Sequence, residues 1–489
     1  MRFDLFFDLL AELIKRISAL DTPAIISDDS KEQMQNQVDS FLRLQFKEEK
    51  FFSYDTLPLT SQIVFDIINW TEGFNNYWLY KALLERLDGM INIDRLVNSL
   101  DINNVSSNDP LFFFALNNNE QKTGVVIFPK VFSPKTEHER QQDNEVLHIG
   151  RPTAKAWYNP VNAFLKKCFF VTCEEFKGYK VRNIMLSAPA DAIKDGYITI
   201  GVTPVCDIPM EDILSFNKDI QKTDNLGNVS NFFGDVSVKD PNEVNERYCN
   251  AYKLACKNNV HILLGPEMLG TIELNQELEG INPLYNAPSP TSKSPLLVIP
   301  PTFWCNGKNM LNAFSQHGEF VGTQFKQHPY VYKGKYTEDL INTPKEILLI
   351  HIHGFGRIAF LICMDYLYTD FRDLLTRTLQ ADFLLCPSYS SGTSPFDAAL
   401  TEPLEFGVRC VWLNSCSAVT ETKEKADYVG IVSTPIISKD SPKQYLIPTC
   451  KGQCRKGCLF TLKIPLNCAN NEPGRKHEDN KVIIEHLLE

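Results

Sequence analysis

Glu267, Lys326 and Cys363 each stand where an apolar run ends. The runs are residues 261–264, 319–325 and 357–362, and their composition suits strands buried in a sheet. Ligands in open α/β sheets bind at the carboxyl ends of strands. A carboxylate, an ammonium and a thiol gathered there form a workable acyl-transfer site. A thiol attacks a carbonyl or nitrile carbon as the thiolate, so a base must take its proton. Glu267 is placed for that task. The tetrahedral intermediate carries a negative oxygen, and a fixed donor such as Lys326 contributes roughly 3–4 kcal/mol to its stabilisation. Glu338, in the polar stretch after Lys326, is a candidate to orient the lysine and assist the water. Cys363 falls in an elbow, because a helical pattern starts near Thr369 with Phe371, Leu374, Leu375 and Leu379 on one face. A lone cysteine is more often inert packing than a nucleophile. What favours chemistry is the set of three, each at a strand end.

The chain has 489 residues, and two domains are the expectation for that length. Hydrophobic content of 43% and charged content of 22% are values of a globular protein. A net charge of −11 gives no overall electrostatic footprint for nucleic acid, which is not an expected partner. No run approaches a membrane span. The first twenty residues carry Asp4, Asp8, Glu12, Lys15 and Arg16 among their apolar positions, which excludes a signal-peptide core and fits an amphipathic helix packed on protein. Fourteen cysteines without such a leader read as reduced thiols of a cytoplasmic protein.

Three parts are expected along the chain: 1–195, 196–466 and 467–489. The first reads as a mixed α+β domain of unassigned role, open to assembly or to binding a protein partner. Helical spacing marks 1–20, about 30–45, 60–70 and 76–100. Residues 110–116 and 124–128, joined by an Asn-rich loop, predict a hairpin. Residues 168–173 predict a further strand, and 133–155 an exposed loop. Composition changes near Asp195. A strand at 197–203 is followed by a polar loop, then by a helix opening at Asp240 with Pro241 in its first turn. The strand at 261–264 completes an α/β alternation. Later strands are expected at 296–299, 347–352, 382–386 and 408–413, with a last strand pair at 428–437 and 458–465. Residues 467–489 read as a charged peripheral tail.

On these motifs, residues 196–466 resemble the nitrilase, or carbon–nitrogen hydrolase, superfamily. The matching pieces are Gly265-Pro-Glu267, Phe325-Lys326-Gln-His328-Pro and Ile362-Cys363-Met-Asp365, in that order, with Pro387-Ser388 after the next strand. The resemblance implies an α/β fold, an α-β-β-α sandwich able to build four-layer assemblies, and a homo-oligomer. It implies Glu267 as general base, Lys326 as oxyanion stabiliser, Cys363 as nucleophile and Glu338 as second glutamate, the alternatives to Glu338 being Glu346 or no acid. It places Asp365, Ser388, Tyr389 and Asn414 on the substrate side. It implies no metal and no cofactor. Leu367 and Glu402-Pro-Leu stand where many members have Arg and Arg-Ala, which argues against a substrate carboxylate bound from those positions. The implied activity is hydrolysis of a non-peptide carbon–nitrogen bond, amide ahead of nitrile, through a thioester. The alternatives are an N-acyltransferase and a nitrilase-like module serving a larger complex, bacterial defence systems being one setting for such modules.

Three look-alikes have blander readings. Gly354-Phe-Gly-Arg-Ile-Ala359 imitates a dinucleotide fingerprint but opens a strand, so it reads as a hairpin turn. Cys450, Cys454, Cys458 and Cys468 lack paired zinc-knuckle spacing and read as thiols. His351 and His353 share a strand face and read as structural histidines. No Gly-x-Ser-x-Gly elbow or P-loop occurs.

Overall fold

A computed structural model gives the fold and describes residues 3–20, 26–46, 61–74, 76–90, 124–129, 165, 168–186, 197–223, 229–280, 294–332, 335–340, 343–352, 355–420, 427–435, 444–450, 456–466 and 482–488. Contacts divide the chain into two compact units, Met1–Gly178 and Tyr179–Glu489.

The first unit carries helices Phe3–Ser18, Asp28–Gln45, Ser61–Thr71 and Tyr77–Gly89, on the expected helical periods, with 91–100 of the last expectation outside the described residues. Leu9, Leu13, Ile14 and Ile17 bury one face of the first helix, and Leu83, Leu84 and Leu87 bury part of the fourth. Val125–Pro129 pairs antiparallel with Cys168–Thr172. The other half of the expected hairpin, 110–116, and the expected loop at 133–155 lie outside the described residues. The buried Asp88 carboxylate accepts the Cys168 backbone N–H at 2.8 Å, which ties the helices to the strand pair.

The second unit is α/β. One sheet runs in the order Phe320–Phe325, Lys308–Ser315, Leu297–Ile299, Ile262–Leu264, Tyr197–Val202, Cys458–Pro465 and Ile483–Leu488, with Phe303–Cys305 paired to Lys308–Ser315. A second runs Gln444–Pro448, Tyr428–Ser433, Arg409–Leu413, Phe383–Pro387, Gly356–Phe360, Glu346–Ile352 and Lys180–Leu186. The two sheets meet closely enough that a Cβ on Gly322 of the first would lie 2.8 Å from Leu348 of the second. Such a contact needs strands with apolar residues on both faces, and Ile358, Ala359 and Phe360 are all fully buried. Helix Pro241–Lys257 covers apolar surface with Val244, Tyr248 and Ala251, and Asp240 caps it by accepting the Glu243 N–H. No helix among the described residues is long and apolar enough to cross a membrane.

Four features differ from the sequence expectation. Lys180–Leu186 pairs parallel with Glu346–Ile352, so the second unit starts ahead of the composition change near Asp195. Lys180, Arg182 and Asn183 leave that strand without a continuous apolar run. Ile483–Leu488, inside the expected tail, pairs antiparallel with Cys458–Pro465. Residues 428–437 and 458–465 do not form a pair, because Tyr428–Ser433 and Cys458–Pro465 belong to different sheets. The polar stretch after residue 203 holds a strand pair, Leu214–Thr223 with Val229–Val238. Polar residues on its open face hide the alternation that marks a half-buried strand. The strands flanking the turn expected at 354–359 pair antiparallel, with Ile352 opposite Gly356, while His353 and Gly354 lie outside the described residues.

Residues 265–270 lie flat on residues 299–302. Gly265 donates to the Ile299 carbonyl, Gly270 to that of Thr302, and Thr302 to that of Pro266, at 2.8–2.9 Å. A Cβ at Gly270 would stand 2.1 Å from the Pro301 carbonyl oxygen, so only glycine fits there. Gly270→Ala is expected to destabilise the protein by about 1–3 kcal/mol in urea unfolding. Gly392→Ala, where a Cβ meets nothing within 4 Å, is the control and is expected to leave the midpoint unchanged.

Candidate active site

Glu267, Lys326 and Cys363 each follow a strand: Ile262–Leu264, Phe320–Phe325 and Gly356–Phe360. Glu338 closes Tyr336–Glu338, which pairs parallel with Val229–Val238 in a smaller sheet. Strands of three sheets thus deliver one group each or more to the same point. The three charged residues are essentially excluded from water, with Glu267 and Lys326 at 0% exposure and Glu338 at 1%.

Lys326 holds them together. Its Nζ lies 2.7 Å from Glu267 Oε1 and 2.6 Å from Glu338 Oε2. An ammonium has three hydrogens. Two go to the glutamates, and among the described residues the third has no partner. Glu267 Oε2 accepts the Tyr389 backbone N–H at 2.9 Å, and Glu338 Oε2 accepts that of Tyr330 at 3.0 Å. Burial alone would push Lys326 down, but Glu267, Glu338 and Cys363 outweigh it and hold the ammonium well above the usual lysine value. Burial pushes the Glu338 carboxyl up against the opposing pull of Lys326, with Glu267 adding to the rise.

Cys363 is 2% exposed. Burial first, and the Glu267 charge next, push its thiol well above the usual cysteine value, with Lys326 and the Tyr389 backbone N–H opposing. Glu267 and Lys326 thus act on the sulfur with opposite sign. Its backbone sits at φ 48°, in the left-handed region that a residue with a Cβ seldom adopts. Met268 at φ 67° and Val205 at φ 61° share that strain. Non-glycine residues held there are concentrated at functional sites. The chain after Cys363 is a 3₁₀ turn, Cys363–Leu367, and the helical segment expected from Thr369 follows it.

Asp365 fixes the elbow. Its Oδ1 accepts the backbone N–H of Gln327 at 2.9 Å and of His328 at 2.7 Å, and contacts His328 Nδ1 at 2.9 Å. Its Oδ2 accepts the Ile362 N–H at 3.1 Å. The side chain is fully buried and engaged on both oxygens, and it braces the segment after Lys326 against the strand end before Cys363. Ser388 likewise points into the fold, its hydroxyl accepting the Trp412 indole N–H at 2.9 Å. Asn414 is engaged with the backbone of Ser390 at both ends of its amide. Tyr389 reaches the site through its backbone, while its hydroxyl lies 2.6 Å from that of Ser417. The four residues expected on the substrate side thus all hydrogen-bond within the fold, Tyr389 through its main-chain N–H to Glu267. Glu346 opens a strand at the Arg182 side chain, 3.4 Å away, and does not contact Lys326.

The sequence reading missed Asn309 and Thr302. Asn309 Nδ2 donates to Glu267 Oε1 at 2.9 Å and Glu338 Oε1 at 3.2 Å. Thr302 Oγ1 donates to Asn309 Oδ1 at 2.8 Å and accepts the Met268 N–H at 2.9 Å. Asn309 shares a strand face with Leu311 and Ala313, all fully buried. A polar residue in that apolar alternation was the available signal. Elsewhere, His351 is a buried histidine bonded to Asn183 at 3.1 Å, and burial with Arg357 nearby holds it well below the usual imidazole value. Among the described residues no group of His, Cys, Asp and Glu is arranged to hold a metal ion. Cys450 and Cys458 are buried, while Cys454 and Cys468 lie outside the described residues.

No family model matches this chain, and no curated protein sequence matches it. Among solved structures it is similar to an amidase from Nesterenkonia sp., at 14% identity and a TM-score of 0.37 over 60% of this chain and 99% of that one. A mutant of the Nesterenkonia AN1 amidase, described as of the nitrilase superfamily, matches at 14% identity and a TM-score of 0.36 over 55% and 90%. A further form of that amidase carries the acetamide moiety of fluoroacetamide on its active-site cysteine, at 13% identity and a TM-score of 0.34 over 56% and 92%. That chemistry is a property of the Nesterenkonia enzyme.

Asp365→Asn would turn an N–H₂ group toward backbone donors that now meet a carboxylate. The expected outcome is a loss of about 2 kcal/mol in urea unfolding.

Proposed function

We propose that this protein hydrolyses a non-peptide carbon–nitrogen bond, amide ahead of nitrile, through a thioester on Cys363. One observation carries the reading. A buried carboxylate and a buried ammonium, 2.7 Å apart, are both electrostatically coupled to a strained cysteine at a strand end.

Each step uses a group already in place. Burial favours the protonated thiol, so its proton must leave as the bond to carbon forms, and Glu267 takes it. The carbonyl carbon becomes tetrahedral, and its oxygen gains the negative charge. Lys326 meets that oxygen with its third hydrogen, its other two being held by the glutamates. The ammonium needs no reorientation, since both carboxylates fix it. Glu267 then gives the proton to the departing amine, the carbon–nitrogen bond breaks and the thioester remains. Water enters, Glu267 accepts its proton, and collapse of the second tetrahedral intermediate releases the acid and restores the thiol. Glu338 keeps the lysine in register throughout. An amine acceptor in place of water would make the same site an N-acyltransferase, and the mass of the released product separates the two.

The test is intact-protein mass spectrometry of the wild type beside Cys363→Ala, each incubated with a panel of amides, carbamoyl compounds and nitriles. An adduct on the wild type alone is expected, its mass reporting the acyl group. Absence of any adduct and of any product, with Cys363 intact, points instead to a module that serves a larger complex. With a substrate in hand, Lys326→Ala is expected to lower kcat by about 100-fold or more.

A further inference from the structure

We infer that Asn309 is a positioning residue that keeps Glu267 and Glu338 both ionised around a single lysine, and so sets the lowest pH at which Cys363 has a working base. The inference rests on the proposed role of Glu267 as that base.

Asn309 closes a ring with Glu267, Lys326 and Glu338. Lys326 joins Glu267 Oε1 to Glu338 Oε2 on one side. Asn309 joins Glu267 Oε1 to Glu338 Oε1 on the other, using one amide hydrogen for each. Which end of the amide faces the carboxylates is decided from behind. The Thr302 hydroxyl accepts the Met268 N–H, so its own hydrogen goes to Asn309 Oδ1. A flipped amide would set its oxygen against both carboxylates. The backbone fixes the remaining freedom, because Lys326 N–H donates to the Asn309 carbonyl at 3.0 Å. Ammonium and amide are thus held on neighbouring strands, facing the same two acids.

Two carboxylates and one ammonium leave the cluster one negative charge in excess. In a site closed to water, like charges this close drive one acid to keep its proton. A protonated Glu267 cannot accept one from Cys363. A second lysine would remove the repulsion but would also hold the Glu267 anion too firmly for it to act as a base. A neutral residue with two donors favours both anions and adds no charge. Asparagine meets that requirement, and leucine of similar shape does not.

The test follows the rate at which iodoacetamide labels Cys363 in the full chain, read by peptide mass spectrometry across about pH 5 to 9. The Cys363–Glu267 pair reacts only after losing its first proton, so the acid limb of the rate belongs to the pair. In Asn309→Leu the limb is expected to move up by about one pH unit, and Asn309→Asp should move it at least as far. Thr302→Val frees the amide to turn and should move the limb in the same direction. Thr302→Ser keeps the hydroxyl and should restore the wild-type limb. A merely structural Asn309 would lower the unfolding midpoint and leave the limb in place, and that result overturns the inference. Should Asn309→Leu fail to fold, the Thr302 pair decides by the same criterion. If wild-type Cys363 is labelled no faster than the other cysteines, the base reading itself fails and this inference falls with it. A responsive wild type with an unmoved limb in the variants overturns the inference alone.

Discussion

The lysine sealed between two carboxylates is the constraint around which the second unit is arranged. An unpaired charge in a site of 0% exposure costs several kcal/mol, and removing one partner of a buried pair typically destabilises by about 3–5 kcal/mol. Lys326 is tolerable there only because every charged oxygen near it is engaged. Glu267 is held by Lys326, Asn309 and the Tyr389 N–H, and Glu338 by Lys326, Asn309 and the Tyr330 N–H. Those donors come from separate segments, so the charge cluster dictates where each segment must run. The glycine contacts of residues 265–270 against Pro301 follow from the same demand, since a bulkier loop would lift Glu267 off the lysine.

A second constraint links the two large sheets. Glu267 and Lys326 follow strands of one, and Cys363 follows a strand of the other. Asp365 spans the gap by accepting main-chain donors on both sides, from Gln327 and His328 after the lysine and from Ile362 before the cysteine. Residues 387–389 form a parallel tie, with the Ser388 carbonyl accepting the Glu267 N–H at 3.3 Å. The left-handed backbone at Cys363 is sustained by this bracing, and it turns a strand sharply enough to leave the sulfur at the sheet end. Apolar packing supplies the frame, hydrogen bonds set the angles, and the charge cluster needs both.

Much of the site is legible in the chain because its chemistry sits where apolar runs stop. Glu267, Lys326 and Cys363 could be found that way, since a buried strand leaves a continuous apolar signature and its end is marked by the first polar residue. Glu338 was harder, because its strand is three residues long and carries no apolar run of its own. Asn309 and Thr302 lay outside the reading for a different reason. Each is a single polar residue amid buried neighbours, and its partners are distant in sequence. Asp365, Ser388 and Asn414 were visible as residue types, but whether a polar side chain faces a ligand or a backbone amide is decided by tertiary contacts. The same limit explains the fold differences. Lys180–Leu186 and Ile483–Leu488 join their sheets at the outer positions, and polar residues break the apolar run in each, Lys180, Arg182 and Asn183 in the first and Glu485 and His486 in the second.

The central claim is that Glu267 takes the proton of a neutral Cys363 thiol inside a lysine-centred cluster. The most direct measurement is the iodoacetamide labelling rate of Cys363 in the wild type and in Glu267→Gln, followed across pH. Glutamine preserves the shape and removes the base. The wild-type thiol is expected to be labelled at neutral pH, and the variant's rate there is expected to fall about 100-fold and recover only in alkali. Equal rates at neutral pH in the two proteins would contradict the claim.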